Sequence, residues 1–275
     1  MPSNNLIKRD WEKDHVYLIQ YPRCAALPNA SPWSLKLETF LRLAEIPYTN
    51  INNGFKSYSK RGQVPFIELN GRQHSDSNII IEKLKEEFNK KDIDTTDPEK
   101  KAILTAIHAM VENSLVWVPF AYRRNDPSWL LSDDGWGRAL GTGMKKRLMH
   151  CLTMRKMKKL LTFRTLGQGI ARLSDEEIEA LAKEELDSLS TLLGNKPFFN
   201  GDKPATIDCN AFAVLAGFIY TPMPGNVLTK YVTETKANLG EFVQRMRERL
   251  WPDWEETCST QNMNTHKEKE KKESE

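Results

Sequence analysis

The chain has 275 residues, of which 39% are hydrophobic and 28% charged, a balance typical of folded domains rather than of disordered segments. No run of about 18 or more apolar residues occurs, so we predict no transmembrane helix, and residues 1–15 lack the apolar core of a secretory signal. The cysteines are widely spaced, with no pair or histidine neighbour at zinc-ligand spacing. This pattern predicts that Cys24, Cys151, Cys209 and Cys258 are reduced thiols that hold no metal ion. It also predicts a cytoplasmic location for the protein.

The net charge is only +3, but the basic residues are unevenly placed. Between Asp134 and Asp175 there is no acidic residue and there are ten basic ones: Arg138, Lys145, Lys146, Arg147, Arg155, Lys156, Lys158, Lys159, Arg164 and Arg172. Taking these ten from 40 Lys and Arg leaves 30 basic against 37 acidic residues, so the rest of the chain is acidic. A nucleic-acid-binding domain is expected to be basic over a whole face, with aromatic or groove-reading elements, so we expect no nucleic-acid partner.

The first third of the chain predicts, in order, a strand, a helix, a strand, a loop, a hairpin and a helix, over residues 15–21, 32–45, 46–52, 53–63, 64–76 and 77–88. Ser31 and Pro32 are typical of a helix N-cap and first turn. Asn70-Gly71 is the pair that best tolerates the positive φ angles of a type I′ hairpin. A parallel β-α-β start followed by an antiparallel hairpin and a helix is the thioredoxin-like arrangement.

Several separated motifs resemble the glutathione transferase family. Ser31-Pro-x-x opens the first helix, Val64-Pro65-Phe66-Ile67 opens the third strand, and Asp76-Ser77 opens the next helix. Residues 196–209, KPFFNGDKPATIDC, resemble that family's F-x-x-G-D-x-x-[ST]-x-x-D signature, although Ala205 stands where the signature has Ser or Thr. Longer stretches narrow the resemblance to the failed axon connections family, a relative of the metaxins: residues 31–48, 60–71, 167–178 and 245–254.

The resemblance covers about residues 15–254 and implies a glutathione transferase fold, with a thioredoxin-like domain followed by an all-α domain. The expected parts are an N-terminal tail (1–14), the thioredoxin-like domain (15–92), the all-α domain (97–257) with a basic insert (135–172), and a disordered charged tail (258–275).

The resemblance also implies where glutathione would bind. A cis peptide before Pro65 would let the Val64 main chain pair with the cysteinyl part of the tripeptide; the alternative is an ordinary strand-initiating proline. Asp76 and Ser77 would hold the ammonium and the carboxylate of the γ-glutamyl end, because a helix N-terminus attracts anions. The alternative for this pair is a plain N-cap.

Ser31 stands where a thioredoxin-like chain often places a cysteine, and a serine cannot form a mixed disulfide. Its hydroxyl can still donate a hydrogen bond to the sulfur of bound glutathione. Lowering a thiol pKa from about 8.5 to about 6.5 needs roughly 2.7 kcal/mol. A hydrogen bond to a charged acceptor contributes about 1.5–3 kcal/mol, and a helix N-terminus about 0.3–1 kcal/mol. Ser31 is therefore either the activator of an external thiol or only a helix cap, and Cys24 is the alternative nucleophile.

The remaining chain has helical patterns over residues 97–123, 174–194 and 206–220. Ser174 with Glu177 predicts a capping box, and Gly194 predicts a helix stop. By the resemblance, Trp117 and Tyr122 would line a second-substrate pocket, although aromatic residues at helical spacing are also typical of a core.

The basic insert, residues 135–172, mixes leucines and basic residues at irregular spacing. It is interpreted either as a helix with a solvated charged face, or as an amphipathic surface for an anionic membrane or an acidic protein partner.

These observations favour a protein that binds glutathione or a related small-molecule thiol as co-substrate, with transferase activity left open. Two alternatives remain, a non-catalytic interaction scaffold and a peripheral membrane protein. The family resemblance implies a role in axon development and leaves a homodimer open.

Overall fold

The structure is a computed structural model that describes residues 6–140 and 143–267; for residue 140 and residues 143–151 it describes the backbone alone. Two compact units are present. The sheet unit contains the residues up to Thr95 and those from Arg247 onward, and the helical unit contains Thr96–Met246. The all-α domain was predicted to end at residue 257, whereas residues 247–257 here group with the sheet unit.

The sheet unit contains four strands and two principal helices: β1 (Val16–Gln20), α1 (Pro32–Leu43), β2 (Tyr48–Asn52), β3 (Phe66–Leu69), β4 (Arg72–Ser75) and α2 (Ser77–Glu87). The strand order is β2-β1-β3-β4. β1 pairs with β2 in parallel, whereas the β1–β3 and β3–β4 pairs are antiparallel. This topology confirms the thioredoxin-like fold class predicted for the first third of the chain.

The β3–β4 hairpin turns at the predicted pair, where Asn70 has φ of 48° and Gly71 has φ of 74°. Both angles lie in the left-handed region that a type I′ turn requires. Residues 53–63 form turns and loop without a helix, also as predicted.

The sheet face opposite α1 is covered by residues 6–14. The backbone amides of Ile7 and Lys8 each donate to the Glu68 carboxylate at 2.8 Å, and Glu68 is buried on β3. Glu68 pairs across the strands with Tyr17, whose hydroxyl accepts a hydrogen bond from the Glu12 amide. The segment predicted as an N-terminal tail is therefore, from residue 6, an integral layer of the sheet unit.

The helical unit begins with α3 (Pro98–Met110), continues through a π-helical stretch (Val111–Leu115) into α4 (Trp117–Arg123), and then contains α5 (Gly143–Gln168), α6 (Asp175–Leu193), α7 (Thr206–Tyr220), α8 (Val227–Lys230) and α9 (Ala237–Leu250). The predicted capping box at Ser174 and Glu177 is present. α7 is the buried central helix. The Asp208 carboxylate accepts the Phe199 and Ala205 amides at 2.7 and 2.9 Å, and Ala205 offers no hydroxyl in return.

By length and composition alone, the run Pro98–Arg123 is long and apolar enough to cross a membrane, and the bent pair Thr206–Tyr220 with Pro224–Thr235 passes the same test. Core helices pass this test too. His108 of α3 and Asn210 of α7 hydrogen-bond at 3.0 Å inside the helical unit, as two packed core helices do. The expectation of no transmembrane helix thus stays a prediction.

Most of the basic insert forms one helix, α5, which is 26 residues long. Leu161 and Thr165 are buried on the side that faces the helical unit. The predicted basic side chains of Lys145, Lys146 and Arg147, and Cys151, lie outside the described side chains.

The C-terminal segment is folded as far as the structure describes it. α10 spans Trp254–Thr260, and the next residues lie along the edge strand β2. The Asn264 side chain accepts the Asn50 amide at 2.7 Å and donates to the Asn50 carbonyl at 3.1 Å, and His266 stacks on Tyr48 with ring centroids 4.2 Å apart. The predicted disorder of 258–275 is therefore wrong for residues 258–267, and residues 268–275 lie outside the described residues.

A buried charged cluster lies between α1, β2 and this C-terminal segment. Arg23 and Glu38, both with fully buried side chains, make two hydrogen bonds of 2.6 Å each. The Met263 carbonyl accepts from Arg23 at 2.8 Å, while Arg42 pairs with Asp253. Two arginines thus face two carboxylates, and the segment after α10 completes the hydrogen bonding of the cluster.

Candidate functional site

The strand register places two of the sequence motifs at one edge of the sheet, where β1 ends. β1 ends at Gln20, and Ile19 pairs with Phe66, so residues 64–65 lie beside the end of β1. Phe66 in turn pairs with Ser75, which places Asp76 next to the same edge. Val64-Pro65 and Asp76-Ser77 therefore lie at the same edge, and Asn29, which hydrogen-bonds to the Ser31 amide and to the Tyr21 carbonyl, places Ser31 near the end of β1.

Ser31 is the N-cap of α1 and is 7% exposed. Its Oγ accepts a hydrogen bond from the Ser34 amide at 3.4 Å, a long bond that leaves the hydroxyl proton free to be donated. Asn29 fixes the position of Ser31, because its Oδ1 atom accepts a hydrogen bond from the Ser31 amide at 2.9 Å. Asn29 also donates to the Tyr21 carbonyl at 3.1 Å, so this side chain ties the start of α1 to the end of β1.

The Val64–Pro65 peptide bond is cis. Pro65 is buried and Val64 is half-buried, immediately before β3. The bond thus has the isomer that the resemblance implies.

Asp76 is the N-cap of α2 and has an unusual backbone, with φ of 78° and ψ of 117°. A side chain other than glycine is strained in this region. The Asp76 Oδ1 atom accepts both cap hydrogen bonds, from Asn78 at 3.1 Å and from Ile79 at 3.3 Å. Ser77, the first residue of α2, is buried. Asp76 therefore acts as a cap, with its second carboxylate oxygen outside the two cap bonds.

Cys24, the alternative nucleophile, is fully buried. Burial raises the pKa of its thiol to about 12. Because the thiolate is the nucleophilic form, a buried thiol with this pKa is unreactive near neutral pH. The structure contradicts the assignment of Cys24 as a nucleophile, and its packing is the reason.

Trp117 and Tyr122, the candidates for a second-substrate pocket, both lie on α4 in the helical unit. The Tyr122 hydroxyl donates to the Asp175 carbonyl at 3.3 Å, and burial raises the pKa of Tyr122 to about 12. Trp117 lies 5.8 Å from Phe120 between ring centroids. Both side chains are half-buried and have partners in the helical unit, which is also how core residues behave.

Two residues of the α1 region were missed by sequence reasoning. Asn29, two residues before the cap, fixes the position of Ser31, and the turn-forming tendency of Asn before a helix start was the available signal. Ser34 is fully buried, and its Oγ has no hydrogen-bond partner.

Among the described residues, no group of three side chains suited to a metal ion occurs.

Comparison with known families agrees with this geometry. The glutathione S-transferase N-terminal domain family matches residues 32–129, and the glutathione S-transferase C-terminal domain family matches residues 182–246. Among solved structures, a β-etherase from Sphingobium superposes with a TM-score of 0.59 at 16% identity, covering 84% of this chain and 94% of its own. A glutathione S-transferase of Methylobacterium radiotolerans in complex with glutathione sulfonate gives a TM-score of 0.55 at 13% identity, covering 86% and 91%. The chain therefore has the glutathione transferase fold.

Three curated proteins are similar to this chain in sequence. "Failed axon connections" of Drosophila melanogaster is 38% identical over 278 residues, which cover 95% of this chain and 64% of that protein. "Isoprene-epoxide–glutathione S-transferase" of Rhodococcus is 27% identical, covering 80% and 93%, and "Metaxin-2" of Mus musculus is 24% identical, covering 80% and 82%. The chain is similar to the failed axon connections protein and spans 64% of the length of that Drosophila relative.

Proposed function

We propose that the sheet unit binds glutathione or a related γ-glutamyl thiol at the edge formed by Ser31, Val64-Pro65 and Asp76-Ser77. The observation that carries the proposal is the backbone of Asp76, which is strained at φ of 78° at the start of a helix. Strain of this kind persists where the surrounding structure holds a functional geometry. A relative that carries glutathione in its name, and a solved neighbour in complex with glutathione sulfonate, support the same ligand class.

The residues present fit the two ends of the γ-glutamyl group. Asn78 and Ile79 already donate to Asp76, but the amide of Ser77 is the first of α2 and has no acceptor within the helix. That amide and the Ser77 hydroxyl can hold the carboxylate, aided by the positive end of the helix dipole. The Asp76 oxygen that takes no part in the cap bonds can hold the ammonium.

Ser31 would act on the thiol of the bound tripeptide. Its hydroxyl proton is not used in the bond to Ser34, so it can be donated to sulfur. A hydrogen bond to a charged acceptor contributes about 1.5–3 kcal/mol, which is of the size needed to lower a thiol pKa by about two. The chemistry supported is transfer of an external thiol to an electrophile, since no cysteine stands at position 31.

Calorimetric titration of the full chain with reduced glutathione tests the binding step. Asp76→Asn keeps a capping side chain but removes the charge that would meet the ammonium, so affinity should fall about tenfold or more. Asp97→Asn is the matched control, because Asp97 caps α3 through the Glu99 amide in the helical unit. Absence of glutathione uptake by the full chain at millimolar concentration would favour the alternative of a non-catalytic scaffold.

The thiolate absorbance of bound glutathione, followed against pH, tests the role of Ser31. Ser31→Ala should raise the pKa of the bound thiol by about one to two. Ser34→Ala removes a buried hydroxyl that has no partner, so it should leave that pKa unchanged. Equal pKa values in the Ser31 variant and the parent protein would leave Ser31 as a helix cap only.

We propose, as a second function, contact with an anionic partner through the basic insert. The supporting observation is that residues 135–174 contain ten basic and no acidic side chains, while Arg155, Lys156, Lys158 and Lys159 are exposed on α5. Retention of the full chain on a sulfated polyanion matrix, and its loss at high salt, test this electrostatic contact. Salt-independent retention would contradict it.

We propose a cytoplasmic location and a role in axon development. The buried thiols of Cys24, Cys209 and Cys258, which form no disulfide, support a reducing compartment, and the name of the Drosophila relative supports the axonal role. Fractionation of cells that express the chain tests the location. Scoring of axon tracts after its loss tests the role, and normal tracts would contradict it.

A further inference from the structure

A stripe of exposed side chains runs along α5, and it is both apolar and basic. The α5 stripe has the spacing i, i+4, i+7, i+11 and i+14, which keeps its members on one face of the helix, and it consists of Leu152, Lys156, Lys159, Phe163 and Leu166. Phe163 is 76% exposed, Leu152 is 50% exposed and Leu166 is 46% exposed. Leu160, beside the stripe, is 40% exposed.

The orientation of the stripe is fixed by the opposite side of the same helix. Leu161 and Thr165 are buried, and the Thr165 hydroxyl donates to the Leu161 carbonyl at 2.7 Å. Because α5 already buries this side in the helical unit, the helix does not need the stripe for its own packing. Four large apolar side chains are thus left on a surface with no contact in the described parts of the chain that would bury them.

The charge around the stripe selects the kind of partner. Arg155 flanks it, and no acidic residue occurs in the sequence between Asp134 and Asp175. A second copy of this face would bring lysines against lysines, which opposes a symmetric contact between two chains. A surface that is negatively charged and has an apolar layer beneath the charge matches both the basic and the apolar side chains of the stripe.

We propose that the α5 stripe docks on the surface of an anionic lipid bilayer, with Phe163 and the neighbouring leucines inserted below the headgroups. This inference rests on the second proposed function and names the partner class. A helix that lies in the membrane interface needs an apolar strip for the acyl boundary and basic residues for the anionic headgroups. Lys156 and Lys159 have stems long enough to follow the apolar strip while their ammonium groups reach the phosphate level.

Co-sedimentation of the full chain with vesicles tests the inference, using phosphatidylcholine alone or mixed with phosphatidylserine. Phe163→Ser should weaken binding to the mixed vesicles about tenfold, because it removes one buried aromatic side chain. Lys156→Gln with Lys159→Gln should weaken it roughly 25-fold, about fivefold for each charge near the surface. Lys158→Gln is the matched control, because Lys158 lies off the stripe as an electrostatic neighbour of Asp126.

The outcomes separate this inference from the function on which it rests. Binding that requires both Phe163 and the two lysines, and that tolerates the Lys158 change, supports a docked and inserted helix. Binding that depends on the lysines but not on Phe163 overturns insertion while leaving an anionic partner in place. Absence of vesicle binding together with retention on the polyanion matrix overturns the lipid assignment alone, and failure in both assays overturns both proposals. A dimer in solution that protects Phe163 from hydroxyl-radical labelling would replace the membrane by a second copy.

Discussion

Glu38 is the residue whose replacement should most weaken the sheet unit. Its carboxylate accepts from Arg23 at 2.6 Å on each oxygen, from Gln20 at 2.7 Å and from Asn50 at 2.8 Å, and all four side chains are buried. Glu38→Gln removes the negative charge. The new side-chain amide places two N–H donors against the N–H donors of the residues that now bind the carboxylate. The Arg23 guanidinium then remains buried without its counter-charge.

Two independent estimates give the size of this effect. Removal of one partner from a buried ion pair costs about 3–5 kcal/mol. Burial alone would raise the pKa of Glu38, but Arg23, Arg42 and Gln20 together outweigh burial and lower the pKa to about 2, against an ordinary 4.5. A difference of this size corresponds to roughly 3 kcal/mol of stabilisation of the charged form. Because the folded-state pKa is depressed, this stabilisation is present above pH 4.5 and is lost as the pH falls towards 2.

Urea denaturation, combined with hydrogen exchange of the β2 amides, measures the change. Glu179→Gln is the matched control, since Glu179 pairs with Lys183 at 2.7 Å on a half-exposed helix surface and should cost under about 0.5 kcal/mol. Removal of both charges with Arg23→Met and Glu38→Met should cost less than Glu38→Gln alone, because no buried charge is left unpaired. A loss below about 1 kcal/mol for Glu38→Gln would refute the reasoning.

Two further predictions concern single polar side chains. Asn264→Ala removes two hydrogen bonds to the Asn50 backbone, so the hydrogen of the Asn50 amide should exchange about tenfold faster or more. Hydrogen exchange in the helical unit should be unchanged. Equal exchange at Asn50 would mean that the C-terminal segment does not protect β2. Asp208→Asn places an N–H₂ group against the amides of Phe199 and Ala205 and should cost about 1–3 kcal/mol. Burial raises the pKa of Asp208 to about 6, so its contribution to stability is present below about pH 3.8 and is lost as the pH rises through 6. The variant should flatten this decline in urea melts against pH, and an unchanged slope would assign the decline to another group.

The parts of the fold that the sequence predicts are those decided by local chemistry. The positive φ angles of Asn70 and Gly71, the Ser174 capping box and the Ser31 cap each depend on a few adjacent residues. The spacing of apolar residues then identifies the strands and most helices, since one face of each element is buried. The same reasoning located the motifs of the candidate site, because caps mark the helix starts where that site lies.

The helix α5 shows why periodicity fails in places. Leu161 is buried on one side of it, whereas Phe163 and Leu166 are exposed on the other. Apolar residues on both sides blur the 3.6-residue period, so the sequence looks irregular although the helix is continuous.

The terminal segments could not be predicted because they attach through contacts between residues that are far apart in the sequence. The amides of Ile7 and Lys8 find the Glu68 carboxylate 60 residues away or more, and Asn264 finds Asn50 at a separation of 214. A polar, charged sequence near residue 264 is typical of a solvated tail. The burial of Cys24 could not be predicted from the sequence either, because packing of distant segments excludes water from that loop.

The buried cluster and the candidate site are joined by a directed chain of hydrogen bonds. An ionised carboxylate only accepts, so Glu38 orients the Gln20 amide with its N–H₂ group inward, at 2.7 Å. The Gln20 oxygen then faces Asn29 and accepts its N–H₂ group at 3.1 Å. This fixes the Asn29 oxygen towards the Ser31 amide.

The charge on Glu38 therefore sets the orientation of two amide side chains and, through them, the position of the cap Ser31. Glu38→Gln makes the acceptor ambiguous, because its own amide can donate or accept, and Gln20 is no longer held in one orientation. We expect the Ser31 amide to exchange faster in this variant, whereas Glu179→Gln should leave that exchange unchanged. Fast exchange at β2 with unchanged exchange at Ser31 would show that the cluster stabilises the sheet unit without positioning the candidate site.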